Sequence, residues 1–186
     1  MTNPVFVQQR RQEFRRYFQP SRILLCVMPA PTGSGLNVIT LSFSMYCSYK
    51  PPMLAVAIQD INASHEFIQK TSEYVLAVPG TSLLRETLFC GTNSARDVDK
   101  VHELQLKLIK SERVATPGLM QAIANIEMLK EHTIKVGDHI LVVGKAVSFR
   151  VNVNQSELPL LSVGPATRGY RVLAQKGIHR IGTIAA

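Results

Sequence analysis

The stretch GLNVITLSFSMYCSYKPP, from Gly35 to Pro52, is the segment from which the fold of this chain can best be inferred. It predicts a β-strand, because β-branched and aromatic residues alternate with small hydroxyl residues. In an extended chain, alternate residues share a face. One predicted face therefore carries Leu36, Val38, Thr40, Ser42 and Ser44, and the other carries Asn37, Ile39, Leu41 and Phe43. The hydroxyl face either meets solvent or lines a polar groove for a ligand rich in oxygen and nitrogen atoms.

The neighbouring segments predict more strands than helices. The apolar run RILLCVMP (22–29) is followed by the turn APTGSG, so we expect it to form a hairpin with the first stretch. Further strands are predicted at 51–59, at 74–80, at 121–132 and on both sides of Gly137-Asp138. Short helices are predicted at 62–73, capped by Asn62 or Ser64, and at 81–89. Strands and helices do not alternate regularly in this order. The order therefore favours a mainly β fold, a closed or split antiparallel barrel.

Composition limits the class of protein. The 186 residues are 46% hydrophobic, which suffices for one core, and no apolar run has the roughly 18–20 residues of a membrane helix. The start of the chain lacks the apolar centre of a secretory signal. We therefore expect a soluble, cytoplasmic protein that does not bind membranes. The three cysteines have no CxxC spacing, so neither a disulfide framework nor a metal site is expected.

The net charge of +8 is concentrated partly at the N-terminus, where five arginines precede residue 23. Residues 1–19 are predicted to be a basic, partly helical segment, and residues 20–186 the folded domain. A basic barrel that binds nucleic acid is one alternative. The sequence does not favour it, because it has no RNP-like aromatic motif, KH loop or helix-turn-helix pattern.

Three polar segments could carry a function. Ser64 and His65 lie at a predicted helix N-terminus, where free backbone N–H groups attract anions. The loop CGTNSARDVDK (90–100) offers Ser94 and Lys100 to a phosphate, and His139 opens an apolar strand after Gly137-Asp138. Each has a plainer alternative: a helix cap, a solvated loop and a locally bonded histidine. The chain has no P-loop, no GxGxxG and no GxSxG.

The ordered set NVITLSFSMYCSYKPP, NASHEFIQKTSEYVLAVPG, CGTNSARDVDK, VGDHILVVGKAV and PLLSVGPATRGY resembles the flavin reductase-like family. That family includes flavoredoxins and the small reductase components of two-component monooxygenases. The resemblance covers about Pro20 to Tyr170, and CGTNSARDVDK is its most distinctive part. It implies an FMN-binding split β-barrel that works as a homodimer, with a noncovalent flavin near the subunit interface.

The resemblance also assigns roles to residues. It implies that the first stretch cradles the isoalloxazine ring and ribityl chain, that the next helix start and the SARDVDK loop meet the phosphate, and that His139 lies near the nicotinamide. The implied flavin-binding residues are Asn37, Thr40, Ser42, Phe43, Cys47, Ser48, Ser64, His65, Ser94 and Lys100. The chain departs from many relatives at Asn62, where they have Arg, at Ala95, where they have Gly, and around Met128, where they have Cys.

Two functions follow from the resemblance. The first is an NAD(P)H-dependent reductase that transfers hydride from nicotinamide to FMN, with FAD as an alternative flavin. The second is a noncatalytic FMN electron carrier that passes electrons between protein partners, which include a monooxygenase. The flavin would carry the chemistry in both, in agreement with the absence of an acid–base or nucleophile motif.

Overall fold

The computed structural model describes Gln8 and residues 18–31, 33–153, 157–165 and 170–173. These residues form twelve strands, three α-helices and a 3₁₀ helix at Thr81–Leu83. The helices are α1 (Ala63–Lys70), α2 (Leu84–Thr92) and α3 (Lys100–Glu103). The strands are β1 (Ser21–Arg22), β2 (Leu24–Pro29), β3 (Leu36–Leu41), β4 (Ser44–Tyr49), β5 (Pro52–Gln59), β6 (Glu73–Val78), β7 (Leu108–Ile109), β8 (Gly118–Leu119), β9 (Ala124–Val136), β10 (His139–Val151), β11 (Leu161–Pro165) and β12 (Tyr170–Leu173).

A seven-stranded antiparallel sheet dominates the architecture, with the order β3-β2-β6-β9-β10-β5-β4. Its edge strands, β3 and β4, are consecutive in the chain and are joined only by Ser42 and Phe43. Strand β3 also contacts β5, so the sheet curls back on itself. Two small sheets, β1-β11-β12 and β7-β8, complete the described part of the chain. The predicted mainly β, split-barrel fold with a few short helices is therefore confirmed.

The curled sheet is covered on both faces. Strand β2 contributes Leu24, Cys26 and Met28 to the core cluster that includes α1, and Leu25 and Val27 to the cluster that includes α2. Burial on both faces is why this segment is a continuous apolar run and does not alternate with polar residues. The predicted β2–β3 hairpin is confirmed, with Cys26 opposite Ile39.

The prediction of one continuous strand from Gly35 to Pro52 is wrong. The chain breaks after Leu41, and β4 pairs with β5, with Tyr49 opposite Pro52. The predicted alternation therefore ends at the break. Thr40 is fully buried, and its Oγ1 donates to the carbonyl oxygen of Thr87 in α2 at 2.5 Å. A solvent-exposed hydroxyl face is thus excluded at this position.

Helix α1 begins after Asn62, as predicted, but neither Asn62 nor Ser64 caps it with a side chain. Ser64 lies inside the first turn, where its hydroxyl bonds Asn37 instead. At the other end, Lys130 Nζ donates to the carbonyl oxygens of Ile68 and Gln69, both at 2.8 Å. A strand residue therefore caps this helix C-terminus, where a cation is favoured.

The β9–β10 hairpin confirms the predicted turn at Gly137-Asp138. Val136 pairs with His139, and Gly137 has a φ of 58°, in the left-handed region that glycine adopts without steric cost. The basic, partly helical segment predicted at residues 1–19 lies almost entirely outside the described residues. No helix in the described segments has the length and apolar character needed to cross a membrane.

Candidate functional site

A cleft of about 330 Å³ opens between the N-terminus of α1, the end of α2 and the loop 93–99. Strand β3 supplies its floor with Ile39 and Thr40. The fourteen lining residues are Ile39, Thr40, Ile61, Asn62, Ala63, Ser64, Cys90, Gly91, Asn93, Ser94, Ala95, Arg96, Asp97 and Lys100. The structure thus brings together four of the sequence-predicted site residues, Thr40, Ser64, Ser94 and Lys100, from three separate segments of the sequence.

Lys100 provides a buried positive charge at the wall of this cleft. The residue is 3% exposed, and its Nζ donates to the carbonyl oxygens of Val38 and Cys90, each at 3.0 Å. Burial lowers the pKa of the Lys100 ammonium, because the protein hydrates a charge less well than water does. Lys100 forms no ion pair with any carboxylate in the described residues. A nearby anion would offset the cost of burying this charge.

Ser64, which lines the cleft, forms a buried polar pair with Asn37. Asn37 Nδ2 donates to Ser64 Oγ at 2.7 Å, and the two residues are 1% (Asn37) and 2% (Ser64) exposed. The other polar atom of the amide, Asn37 Oδ1, has no hydrogen-bond partner among the described residues. Buried amide oxygens are nearly always paired in folded proteins. Asn37 itself does not line the cleft, so this oxygen is not a ligand contact there.

The loop 93–99 is shaped by Ser94. Its Oγ accepts from Arg96 N at 3.1 Å, and its carbonyl oxygen accepts from the backbone N–H groups of Asp97 and Val98. This turn directs the Arg96 side chain across the cleft, where it donates to the carbonyl oxygen of Ile61 at 3.1 Å and to Glu66 in α1. Sequence reasoning missed Arg96. The signal for it is its place in CGTNSARDVDK, between the predicted residues Ser94 and Lys100.

A second group of side chains lies at the start of β10, where His139 is the first residue of the strand. The rings of Phe43 and His139 lie 5.5 Å apart, centroid to centroid, and are tilted by 30°. His139 Nδ1 is 2.6 Å from Asp138 Oδ1. The hydrogen bond from His139 lowers the pKa of the Asp138 carboxyl and holds the imidazole in place. Phe43 is 48% exposed, so a flat ligand could reach the pair.

The cleft and the Phe43–His139 pair lie at the same end of β5. Gln59, the last residue of β5, pairs with His139, and two residues later Ile61 lines the cleft. Asp60, between them, donates its backbone N–H to the carbonyl oxygen of Asp138 at 3.0 Å. An elongated ligand could therefore place an anionic group in the cleft and a ring near Phe43.

The remaining sequence-predicted residues lie elsewhere. Ser42 is half-buried in the connection between β3 and β4. Cys47 and Ser48 lie on the edge strand β4, where Cys47 is exposed, and neither lines the cleft. His65 follows Ser64 in α1, but its ring nitrogens face Gln69 Nε2 at 3.2 and 3.4 Å, and it does not line the cleft.

The arrangement is suited to binding an anion and to holding a ring. It offers two cations, the first turn of α1 and several hydroxyl and amide groups. Among the lining residues Asp97 is the one carboxylate, and Cys90 is a thiol whose pKa burial raises to about 12. Neither forms a nucleophile–base pair with another described residue. Acid–base chemistry by side chains in the cleft is therefore not supported.

Comparison with known families and sequences gives a consistent result. Residues 18–172 match the family described as flavin reductase like domain. An uncharacterised protein of Pyrococcus abyssi is 32% identical over 134 residues, which cover 72% of this chain and 76% of the relative.

Solved structures share the fold at lower sequence identity. An FMN-binding protein from Thermus thermophilus matches with a TM-score of 0.75 and 20% identity, over 94% of this chain and 97% of that chain. An NADH:FAD oxidoreductase from Streptomyces globisporus gives 0.73 and 17%, over 92% and 98%. A flavoredoxin from Methanosarcina acetivorans gives 0.71 and 19%, over 83% and 86%.

Proposed function

The chain belongs to the flavin reductase-like family, and we propose that it binds FMN and reduces it with hydride from NADH or NADPH. The observation that carries this proposal is the cleft with a buried ammonium. Lys100 is buried with carbonyl partners, and Ser64, Arg96 and the first turn of α1 surround the same space. A flavin phosphate would supply the missing counter-charge.

The residues present fit the flavin in three parts. Ser64, Ser94, Arg96 and Lys100 would hold the phosphate, and Thr40 and Ser42 would meet the ribityl chain. Phe43 would border the ring, and His139 would orient the nicotinamide. The flavin would supply the redox chemistry as the acceptor of hydride. The protein's part is to bind both molecules and to limit access of water to the reacting faces.

A noncatalytic FMN electron carrier is the second candidate. The fold that the chain shares with a flavoredoxin supports this alternative. In that case a protein partner, such as a monooxygenase, would exchange electrons with the flavin. The exposed Phe43 side chain would then contact the partner protein, and no nicotinamide would bind beside it.

One experiment separates the two functions. The purified chain is loaded with FMN, made anaerobic and mixed with NADH or NADPH while the visible flavin absorbance is followed. Rapid bleaching by either nucleotide supports the reductase, and bleaching only by a reduced protein donor supports the carrier. A colourless protein that binds neither FMN nor FAD would contradict both, and salt-sensitive binding of polynucleotide would favour the basic nucleic-acid-binding barrel.

A homodimer with flavin near the interface is part of the proposal. Strand β4 is an edge strand with three large exposed apolar side chains, Met45, Tyr46 and Tyr49, of which Tyr49 is 85% exposed. An uncovered apolar edge of this kind invites pairing with another chain. Sedimentation of the FMN-loaded protein tests it, since a fully loaded monomer would contradict a shared site. The cytoplasmic location remains a prediction from the sequence.

A further inference from the structure

Arg96 already has an anionic partner within the protein. Its guanidinium donates to the Glu66 carboxylate in the first turn of α1 and, at 3.1 Å, to the carbonyl oxygen of Ile61. Arg96 and Ile61 belong to opposite walls of the cleft. The side chain therefore joins the loop 93–99 to the start of α1 across the space where an anion would enter.

The two cations of the cleft differ in availability. The ammonium of Lys100 is buried and bonded to two carbonyl oxygens, so it has little freedom to move. The side chains of Arg96 and Glu66 are 48% and 55% exposed. An ion pair between such exposed groups contributes little net free energy, so it can be exchanged readily for another anion.

The geometry points to Arg96 as a specificity-determining residue that leaves Glu66 and binds the phosphate of the flavin. Glu66 is then a built-in competitor that lowers the affinity for flavins that carry a phosphate. This inference rests on the proposed function and adds regulation to the same site. A guanidinium binds a phosphate through two parallel hydrogen bonds, which are stronger than an exposed single contact to a carboxylate.

Competition of this kind would make the flavin exchangeable. When Arg96 turns to the phosphate, the ion pair between Arg96 and Glu66 is lost. Part of the binding free energy is consumed by this rearrangement. The protein would therefore hold FMN loosely enough to release it, as a flavin that is a substrate must be released.

Fluorescence titration of FMN and riboflavin tests the inference, because riboflavin lacks the phosphate. For Glu66→Gln we expect the FMN Kd to fall about three- to fivefold at low ionic strength, in the range that an exposed ion pair supports. The riboflavin Kd should stay unchanged. For Arg96→Ala we expect the FMN Kd to rise roughly tenfold or more, because a charge-assisted bidentate contact is lost. The riboflavin Kd should again stay unchanged.

The double variant Glu66→Gln/Arg96→Ala decides whether Glu66 acts through Arg96. Its FMN Kd should equal that of Arg96→Ala. An equal gain from Glu66→Gln with and without Arg96 would show direct repulsion and overturn the inference. The inference is also overturned if Glu66→Gln leaves the FMN Kd unchanged or shifts riboflavin equally. If Arg96→Ala does not fold, Arg96→Lys takes the place of Arg96→Ala in these titrations. Lysine keeps the positive charge but lacks the bidentate geometry of the guanidinium.

Glu131→Gln is the matched control, because Glu131 is exposed on β9 and its substitution makes the same change in net charge. It should leave both dissociation constants unchanged. The two proposals fail differently. If the unaltered chain binds neither FMN nor riboflavin, the proposed function is wrong. If it binds FMN but the Glu66 variant behaves like the Glu131 control, only the role of Glu66 is wrong.

Discussion

The ammonium of Lys100 lies 3.0 Å from the carbonyl oxygen of Val38 and is buried between β3 and the end of α2. The bond joins the first residue of α3 to the middle of β3, two elements that are far apart in the chain. Because the partners of the ammonium are neutral carbonyls, the charge is hydrogen-bonded but not compensated. This relationship makes the proposed phosphate site testable through pH.

The affinity for FMN should fall as the pH rises. The fall should begin below pH 10.5, the ordinary pKa of lysine. Burial lowers the pKa of Lys100, so the side chain is charged below that lowered value and neutral above it. The charged form attracts the dianionic phosphate, and the neutral form does not. Titrations of FMN and riboflavin across alkaline pH measure the effect, since only the phosphate-bearing flavin should respond to the charge.

Lys100→Met should remove this pH dependence and weaken FMN binding, whereas Lys130→Met should not. Lys130, on β9, is the matched control because its ammonium also donates to two carbonyl oxygens and burial also lowers its pKa. Its ammonium lies at the C-terminal end of α1, and Lys130 does not line the cleft. Equal loss of FMN binding in both variants would indicate a general effect on folding.

Ser64→Ala should destabilise the fold by about 1–3 kcal/mol, the cost of leaving a buried polar group unpaired. Asn37 Nδ2 would lose its 2.7 Å partner, and Asn37 Oδ1 already has none among the described residues. Urea unfolding measures the change in the free energy of unfolding. Ser82→Ala, at an exposed serine, is the control and should be near neutral.

Tyr74→Phe should leave stability unchanged or raise it. Tyr74 is fully buried, and its hydroxyl has no hydrogen-bond partner among the described residues, so removal of that oxygen removes a desolvation cost. Burial raises the pKa of the same phenol. A loss of more than about 1 kcal/mol in urea unfolding would instead indicate that the hydroxyl is bonded.

His139→Ala should raise the KM for NADH by about two- to tenfold, since an aromatic contact contributes about 0.5–1.5 kcal/mol. The FMN Kd should change little, because His139 does not line the cleft. Asp138→Ala should have a smaller effect in the same direction, since Asp138 only fixes the orientation of the imidazole through the 2.6 Å contact. A rise in the FMN Kd without a change in KM would assign His139 to flavin binding.

Part of the candidate cleft could be predicted from the sequence, and the rest could not for a physical reason. Ser64, Ser94 and Lys100 were selected because their segments have the chemistry of an anion site, and all three line one cleft. Cys47 and Ser48, which the family resemblance implies, lie on the edge strand β4 outside the cleft, and their role in flavin binding stays a prediction. The break after Leu41 separates Cys47 and Ser48 from β3, because the chain crosses there to the opposite edge of the sheet. A pattern of alternating residues does not show where such a crossing occurs.

Local periodicity, turn residues and glycine were enough to specify the mainly β fold, the β2–β3 and β9–β10 hairpins and the start of α1, because each depends on residues that are close together in the chain. The burial of Lys100 against Val38 and Cys90, and the pairing of Arg96 with Glu66, emerged only once the chain was folded. Most of these contacts join residues that are far apart in the chain. Their energies depend on burial and distance, which the order of residues alone does not specify.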